Sequence, residues 1–277
     1  MSDKVVLITG TSSGIGLAAA VSAARAGFTT VATLRDPARA GALRKAAEVA
    51  GVELDIRRLD VTDAASVEEC VAGVIADHGR LDAVVNNAGA GHVGTIENES
   101  VDEVRQVMEV NFFGVVTVTK AVMPHLRATG GRLLTVTSVG GVIGQPFNEA
   151  YCAAKFAAEG FMESLAPVAA TAGVTVAVIE PGAVASEFIA NVGIQEGAAA
   201  EAGVYGPALA NYLHRTRGAF AAAQTSEAVG EAITEALTTD RPAFRIQTSD
   251  AARTFVGAKL ADLDGSLVQT ATSAWVA

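Results

Sequence analysis

The chain has 277 residues, half of them apolar, with 20 basic and 30 acidic side chains, a formal charge of −10 and an isoelectric point near 4.9. No cluster of Lys and Arg stands against that acidic balance, which argues against nucleic acid or an anionic membrane surface as partner. Two distant cysteines (Cys70, Cys152) and scattered histidines (His78, His92, His125, His214) give no disulfide or metal-ligand spacing, so no metal is expected.

The opening MSDKVVLITG enters a strand-like run directly, without the charged start, apolar stretch and cleavage site of a secretory signal. The uncharged window 5–24 is interrupted by the polar and glycine residues of 9–14. The expectation is a cytoplasmic protein with no membrane insertion. The length allows one or two domains, and the absence of a linker-like stretch favours one, over 1–277.

In chain order, short β-branched runs at 5–8, 30–34, 55–59, 83–85, 133–137, 175–179 and 244–246 read as strands. Ala-rich segments of helical period at 15–26, 37–50, 64–78, 101–128, 151–170 and 226–238 separate them. Such alternation predicts an α/β fold, a doubly wound parallel sheet of about seven strands with helices on both faces. The near-continuous apolar character of the first, fifth and sixth runs fits strands covered on both sides. The irregular, Ala- and Gly-rich stretch at about 187–224 reads as a lid over a substrate pocket, the alternative being a peripheral helical insertion. A C-terminal extension follows at about 248–277.

VVLITGTSSGIG joins the first strand to the first helix through Gly10, Gly14 and Gly16. Glycines at such a junction let the backbone approach a pyrophosphate, whose charge is favoured by the unpaired N–H groups of the helix N-terminus. The spacing is Gly-x3-Gly-x-Gly rather than Gly-x-Gly-x2-Gly, so taken alone it competes with a turn that binds nothing. Asp60-Val61 after the third strand and Asn86-Asn87-Ala88-Gly89 after the fourth add polar or glycine-bearing turns at the same edge of the sheet. The carboxyl ends of the strands are where open α/β sheets bind ligands.

Tyr151 and Lys155 stand one helical turn apart, on one face of a predicted helix. A phenol ordinarily titrates near pH 10, and a neighbouring cation favours its ionised form. The pair can therefore exchange a proton with a substrate oxygen, Lys155 lowering the pKa of Tyr151. An isolated Tyr and Lys at this spacing are more commonly an exposed helix face, Ser138 a strand-end turn residue and Asn111 a backbone-bonded polar group. Those readings do not explain why all four occur downstream of a dinucleotide-type loop.

Thr9-Gly10-x3-Gly14-Ile15-Gly16, Asn86-Asn87-Ala88-Gly89, Asn111, Ser138, Tyr151-x3-Lys155 and Pro181-Gly182 resemble the ordered motif set of the short-chain dehydrogenase/reductase family, over residues 4–188. The resemblance implies a three-layer Rossmann fold and an oxidoreductase that interconverts alcohol and carbonyl by hydride transfer. It places Gly10, Ser12, Ser13, Gly14, Ile15, Gly16, Asp60, Val61, Asn87, Ala88 and Gly89 along the dinucleotide. Pro181, Gly182, Val184 and Ser186 would close over the nicotinamide, Ser186 standing where the family usually has Thr. It also implies that Lys155 holds the nicotinamide ribose, that Tyr151 lies against the cofactor, that Ser138 bonds the substrate oxygen, and that Asn111 fixes a water linking Lys155 to solvent. Leu34 occupies the position where NAD users carry an acid, and Arg35 with Ser12 looks like an NADP pocket. NADP(H) is favoured, while Asp36 keeps NAD(H) open.

LRDP and SVGGVIGQPFNEAYCAAKFAAEGFMESLA are most similar to the hydroxysteroid and photoreceptor retinol dehydrogenase branch. That implies a bulky lipophilic alcohol or ketone, such as a hydroxysteroid, or a retinoid-like aldehyde, walled by Val139, Val142, Ile143, Phe147, Phe188 and Ile189. Core packing accounts for several of these equally well. The alternatives are an NAD(H)-dependent reductase of a smaller ketone, sugar or β-ketoacyl substrate, and a non-catalytic NADP-sensing regulator. The helices at 101–128 and 151–170 resemble the family's pairing surface, implying a homodimer or homotetramer. The tail GSLVQTATSAWVA either docks on a neighbour or frays.

Overall fold

The computed structural model describes residues 4–185, 199, 202–221 and 223–276. Its centre is a seven-stranded, wholly parallel sheet in the order β3-β2-β1-β4-β5-β6-β9. The strands are β1 (Val5–Thr9), β2 (Thr29–Leu34), β3 (Asp55–Arg58), β4 (Ala83–Asn86), β5 (Arg132–Val136), β6 (Thr175–Glu180) and β9 (Arg245–Gln247). All seven expected strands are present.

Adjacent residues on a strand point to opposite faces, and that alternation builds the two cores. Leu7, Val84, Leu133 and Val178 pack under α3 (Ala64–His78), α5 (Gly114–Thr129) and α6 (Glu149–Ala170), meeting Val71, Val122 and Met162. Their neighbours Ile8, Val85, Leu134 and Ile179 pack under α1 (Gly14–Arg25) and α8 (Ser226–Thr238), against Ala19, Ala23, Val229 and Ile233. The alanine face of α1 lets α8 approach until a Cβ at Gly230 would lie 2.8 Å from the Ala18 carbonyl carbon. Each large side chain sealed in these layers contributes about 1.5–3 kcal/mol relative to exposure.

The chain winds to one side of β1 through β2 and β3, then returns to place β4 on the other side. The crevice between the carboxyl ends of β1 and β4 is therefore the switch point where such sheets hold ligands.

Two expected helices are subdivided. The segment expected at 37–50 opens with a 3₁₀ turn, Pro37–Arg39, before α2 (Gly41–Ala50), because Pro37 follows Asp36, whose carboxylate caps the turn by accepting from Ala38 N at 3.0 Å. The segment expected at 101–128 begins as α4 (Val101–Met108) with a reciprocal Ser100–Glu103 capping box and passes through a π-helical turn, Glu109–Phe113, into α5. This continuous run, Val101–Thr129, is long and apolar enough by composition to span a bilayer. Here Val115, Val118, Val122 and Leu126 are buried in the core beside the sheet.

Of the stretch expected as a lid, 187–198, 200, 201 and 222 lie outside the described residues, as does 186 before it. The remainder contains a 3₁₀ turn, Gly203–Tyr205, and α7 (Gly206–Ala221). The stretch leaves the fold at β7 (Val184–Ala185) and returns at β8 (Gln224–Thr225), and these two strands pair in parallel.

The C-terminal extension forms α9 (Asp250–Ala261) and α10 (Ser266–Ser273). Ala252, Val256 and Val268 cover Val139, Val142 and Ile143, so these three expected pocket residues are core positions under the extension. Beyond α10, Trp275 stacks on Phe255 with ring centres 5.8 Å apart and receives Arg215 of α7 over its face at 5.1 Å. The tail thus docks on its own chain. Trp275→Ala removes both ring contacts from a half-buried site, and unfolding free energy should fall by about 1–3 kcal/mol. Thermal melting reads this as a loss of several degrees in Tm, and an unchanged melt would mean that the tail contributes nothing.

Candidate active site

The glycine loop is shaped by close approach. Gly10 has φ 71°, and a Cβ there would lie 2.7 Å from Ala88 Cα; one on Gly16 would lie 2.2 Å from Gly10 O and 2.4 Å from Asn87 Nδ2. The turn after β4 is stitched onto it. Asn87 Nδ2 donates to Thr9 O (2.9 Å) and Gly10 O (3.0 Å), while Thr9 Oγ1 accepts from Asn87 N and Ala88 N, both at 3.0 Å. Ser13 stands at the N-cap of α1, yet its side chain makes no capping bond and the first turn carries no acid. Ser12 precedes it, and Gly14, Ile15 and Gly16 open the helix. The first-turn N–H groups are thus left for an anion, and the bare glycine surface lets one come close. These features fit the pyrophosphate of a dinucleotide.

At the end of β2, Arg35 is exposed, while the carboxylate of Asp36 accepts from Ala38 N through Oδ1. Asp60 Oδ1 accepts from the Thr62 amide (3.0 Å) and hydroxyl (2.8 Å), and Val61 is buried against Gly114, where a Cβ would stand 2.7 Å from Val61 Cγ2. Asp60 and Val61 therefore hold a tight turn at the edge of the crevice.

The four expected catalytic residues meet beside this crevice. Ser138 follows β5, its Oγ accepting from Gly140 N at 3.0 Å, and it shares a hydrogen bond with the phenol of Tyr151. Lys155 is 5% exposed; its Nζ donates to Val136 O at 3.1 Å and lies 5.8 Å from the centre of the Tyr151 ring. Asn111, fully buried, projects from the π turn, donating from Nδ2 to Ala90 O and Val107 O (3.0 Å each) and accepting at Oδ1 from Ala90 N (3.2 Å). π turns of this kind recur at functional sites, the extra residue re-aiming a side chain. Gly89, exposed in the crevice, is where the two turns converge: a Cβ there would lie 2.9 Å from Asn111 Oδ1 and 3.6 Å from Lys155 Nζ.

Desolvation sets the charge states. It raises the Tyr151 phenol well above its ordinary value, opposed by the hydrogen bond with Ser138. Burial thus outweighs the lowering expected from Lys155, whose Nζ lies 5.8 Å from the ring centre. Lys155 is itself pushed down to about 8 by burial, with the carboxylate of Glu159 opposing.

The exit of β6 completes the frame. Pro181 O accepts from Val139 N at 3.0 Å, which sets the Pro181-Gly182 corner beside Ser138, and Val184 is buried in the second core layer. Ser186, Phe188 and Ile189 lie outside the described residues. Phe147, the other expected wall residue, is buried in the left-handed region at φ 58°. It packs with Leu209 and Tyr212 of α7, ring centres of Phe147 and Tyr212 being 5.6 Å apart, and Asn148 Nδ2 donates to Tyr212 Oη at 2.7 Å. Glu159 and Tyr212 were not singled out from the sequence, and Thr9 entered only as part of the glycine motif. Glu159 carried a local signal, an acid one turn beyond Lys155 on the same helix, whereas Tyr212 is joined to the site only by the fold.

A family model for the short chain dehydrogenases matches residues 4–197. The chain is similar to retinol dehydrogenase 8 of Bos taurus, 37% identical over 274 residues, covering 95% of this chain and 87% of the relative. It is also similar to 17-beta-hydroxysteroid dehydrogenase type 1 of Mus musculus, 41% identical over 254 residues, covering 88% and 73%. Among solved structures, an alcohol dehydrogenase from the archaeon Thermococcus sibiricus, complexed with 5-hydroxy-NADP, superposes with a TM-score of 0.72 at 28% identity, covering 88% of this chain and 95% of that one. With the parallel sheet, the glycine loop and the matched motifs in one crevice, the chain belongs to the short-chain dehydrogenase family and is an oxidoreductase acting on CH–OH groups.

Proposed function

We propose that the protein is an NADP(H)-dependent oxidoreductase that interconverts a bulky lipophilic alcohol and its ketone or aldehyde, a hydroxysteroid or retinoid being the substrate class. The observation that carries this reading is the convergence of Ser138, Tyr151, Lys155 and Asn111 at the mouth of the β1–β4 crevice, next to a glycine loop with free helix N–H groups. The names of the relatives, a retinol and a hydroxysteroid dehydrogenase, support the substrate class.

In this reading the nicotinamide cofactor supplies or accepts the hydride. Gly10, Ser12, Ser13, Gly14, Ile15 and Gly16 seat its pyrophosphate. Arg35, exposed just beyond β2, pairs with the 2′-phosphate. Asp60, Val61, Asn87, Ala88 and Gly89 line the crevice, and Pro181, Gly182, Val184 and Ser186 close the nicotinamide end. Ser138 Oγ binds and orients the substrate oxygen. Desolvation holds the Tyr151 phenol protonated, the form that donates to a carbonyl oxygen in the reductive direction. Lys155 provides positive charge beneath that proton transfer, and Asn111 Oδ1 retains accepting capacity for a water leading from Lys155 to solvent. α7, with Leu209 and Tyr212 over Phe147, forms the roof of the substrate side. The exposure of Phe113, Phe156 and Val168 around α5 and α6 supports a two-fold pairing of subunits.

Tyr151→Phe should lower kcat for retinal or estrone reduction by about 10²–10⁴-fold with little change in NADPH binding. Normal turnover would remove the proposed role of Tyr151. Gly16→Val should abolish binding of NADPH and NADH alike in a fluorescence titration, since its side chain would collide with Gly10 and Asn87. Arg35→Ala should weaken NADPH binding about tenfold or more while leaving NADH nearly unchanged; equal losses would reassign the cofactor.

A further inference from the structure

One turn beyond Lys155 on α6, Glu159 is 4% exposed and faces polar groups on every element packed around it. From the end of β5, Thr137 Oγ1 donates to Glu159 Oε1 at 2.5 Å. From β9, Arg245 Nε lies 3.5 Å from Glu159 Oε2 and 3.4 Å from Oε1 of Glu180, a wholly buried acid at the end of β6. Gln247 Nε2 donates to Glu180 Oε2 at 2.8 Å, and Arg245 Nη2 also binds Glu163 of α6 at 2.9 Å. On the remaining side, a Cβ at Gly141 would lie 2.9 Å from Glu159 Cγ and 3.1 Å from Lys155 O. Three carboxylates thus share one guanidinium, and Glu159 Oε2, Glu180 Oε1 and Arg245 Nε have no hydrogen-bond partner. A buried arrangement so poorly satisfied is costly, and its place directly behind the catalytic lysine points to a use there.

Building on the roles proposed above for Tyr151 and Lys155, we propose that Glu159 is a positioning residue: its carboxylate clamps the end of β5 to α6 through Thr137 and sustains the positive charge of Lys155. Thr137 lies between Val136, whose carbonyl receives Lys155 Nζ, and Ser138. One buried acid therefore sets the spacing of Ser138 from the Tyr151–Lys155 face. Its charge acts in the same pH range as the lysine. Burial, joined by Glu180 and opposed by Thr137 and Arg245, lifts the Glu159 carboxyl to about 7, while burial opposed by Glu159 lowers Lys155 to about 8. As pH rises through neutrality, Glu159 becomes negative where Lys155 would otherwise lose its proton.

Glu159→Gln tests this, because Gln still accepts from Thr137 but carries no charge. In the pH profile of kcat/KM for estrone or retinal reduction with NADPH, its alkaline limb should move about one unit lower while the plateau stays near wild type. Arg245→Gln, which removes the cation favouring ionised Glu159, should move the limb in the same direction by less. A substrate-free readout runs alongside. A carboxyl raised from 4.5 to about 7 on folding stabilises the native state below pH 4.5, and that stabilisation is lost as pH rises through 7. The Tm of wild type relative to Glu159→Gln should therefore fall across this window. A limb that stays in place or moves upward in the folded variants overturns the proposal, as does a pH-independent Tm difference. Should Glu159→Gln fail to fold, Arg245→Gln decides. Unimpaired turnover by Tyr151→Phe would sink the proposed function itself, whereas an inactive Tyr151→Phe with an unmoved limb sinks only the role of Glu159.

Discussion

The site is organised around a desolvated ammonium. Lys155 is 5% exposed, and withdrawing such a charge from water is tolerated only where fixed dipoles or opposite charge replace the solvent. The carbonyl of Val136 serves on one side and Glu159 lies one turn behind. Toward the crevice, Gly89 leaves a gap that any side chain would close. The sheet supplies the carbonyl, the helix supplies the acid, and the turn after β4 supplies the opening. That is why residues from β4, β5, α6 and the π turn meet at a single point.

The same constraint explains the stitching of the two turns at the switch point. Thr9 and Asn87 tie the ends of β1 and β4 together through side chain and backbone, which fixes the glycine loop relative to Gly89. The glycine loop and the Tyr151–Lys155 face are thus held in fixed relation across the crevice. The C-terminal extension adds support from outside, with Val256 and Val268 covering the 3₁₀ turn (Val139–Gly141) that immediately follows Ser138.

Much of this was legible in the sequence, because period and position carry it. Apolar pairs such as Leu7-Ile8 and Val84-Val85 announce a sheet covered on both faces, Gly10 and Gly16 mark the strand-to-helix turn, Tyr151 and Lys155 stand one helical turn apart, and Ser138 entered through the resemblance of the ordered motifs. What remained hidden depends on contacts between distant segments. Val139, Val142 and Ile143 have the chemistry of pocket walls, and only the docking of residues from 252–268 shows them to be core. The π turn that aims Asn111 inward left no trace in the apolar period, and the capping bond from Ala38 N to the Asp36 carboxylate was equally invisible there. Burial raises the Tyr151 phenol, an effect that residue spacing could not announce.

The parallel pairing of β7 with β8 has a bearing on how such a protein can diversify. Val184 and Gln224 are hydrogen-bonded strand neighbours, so everything between them leaves and re-enters the scaffold at adjacent points. Doubling the length of a segment anchored in this way costs only about 0.6 kcal/mol in closure entropy. Insertions and deletions there need not propagate into the sheet or the glycine loop. The sheet and the glycine loop are thus insulated from changes of length between these two strands.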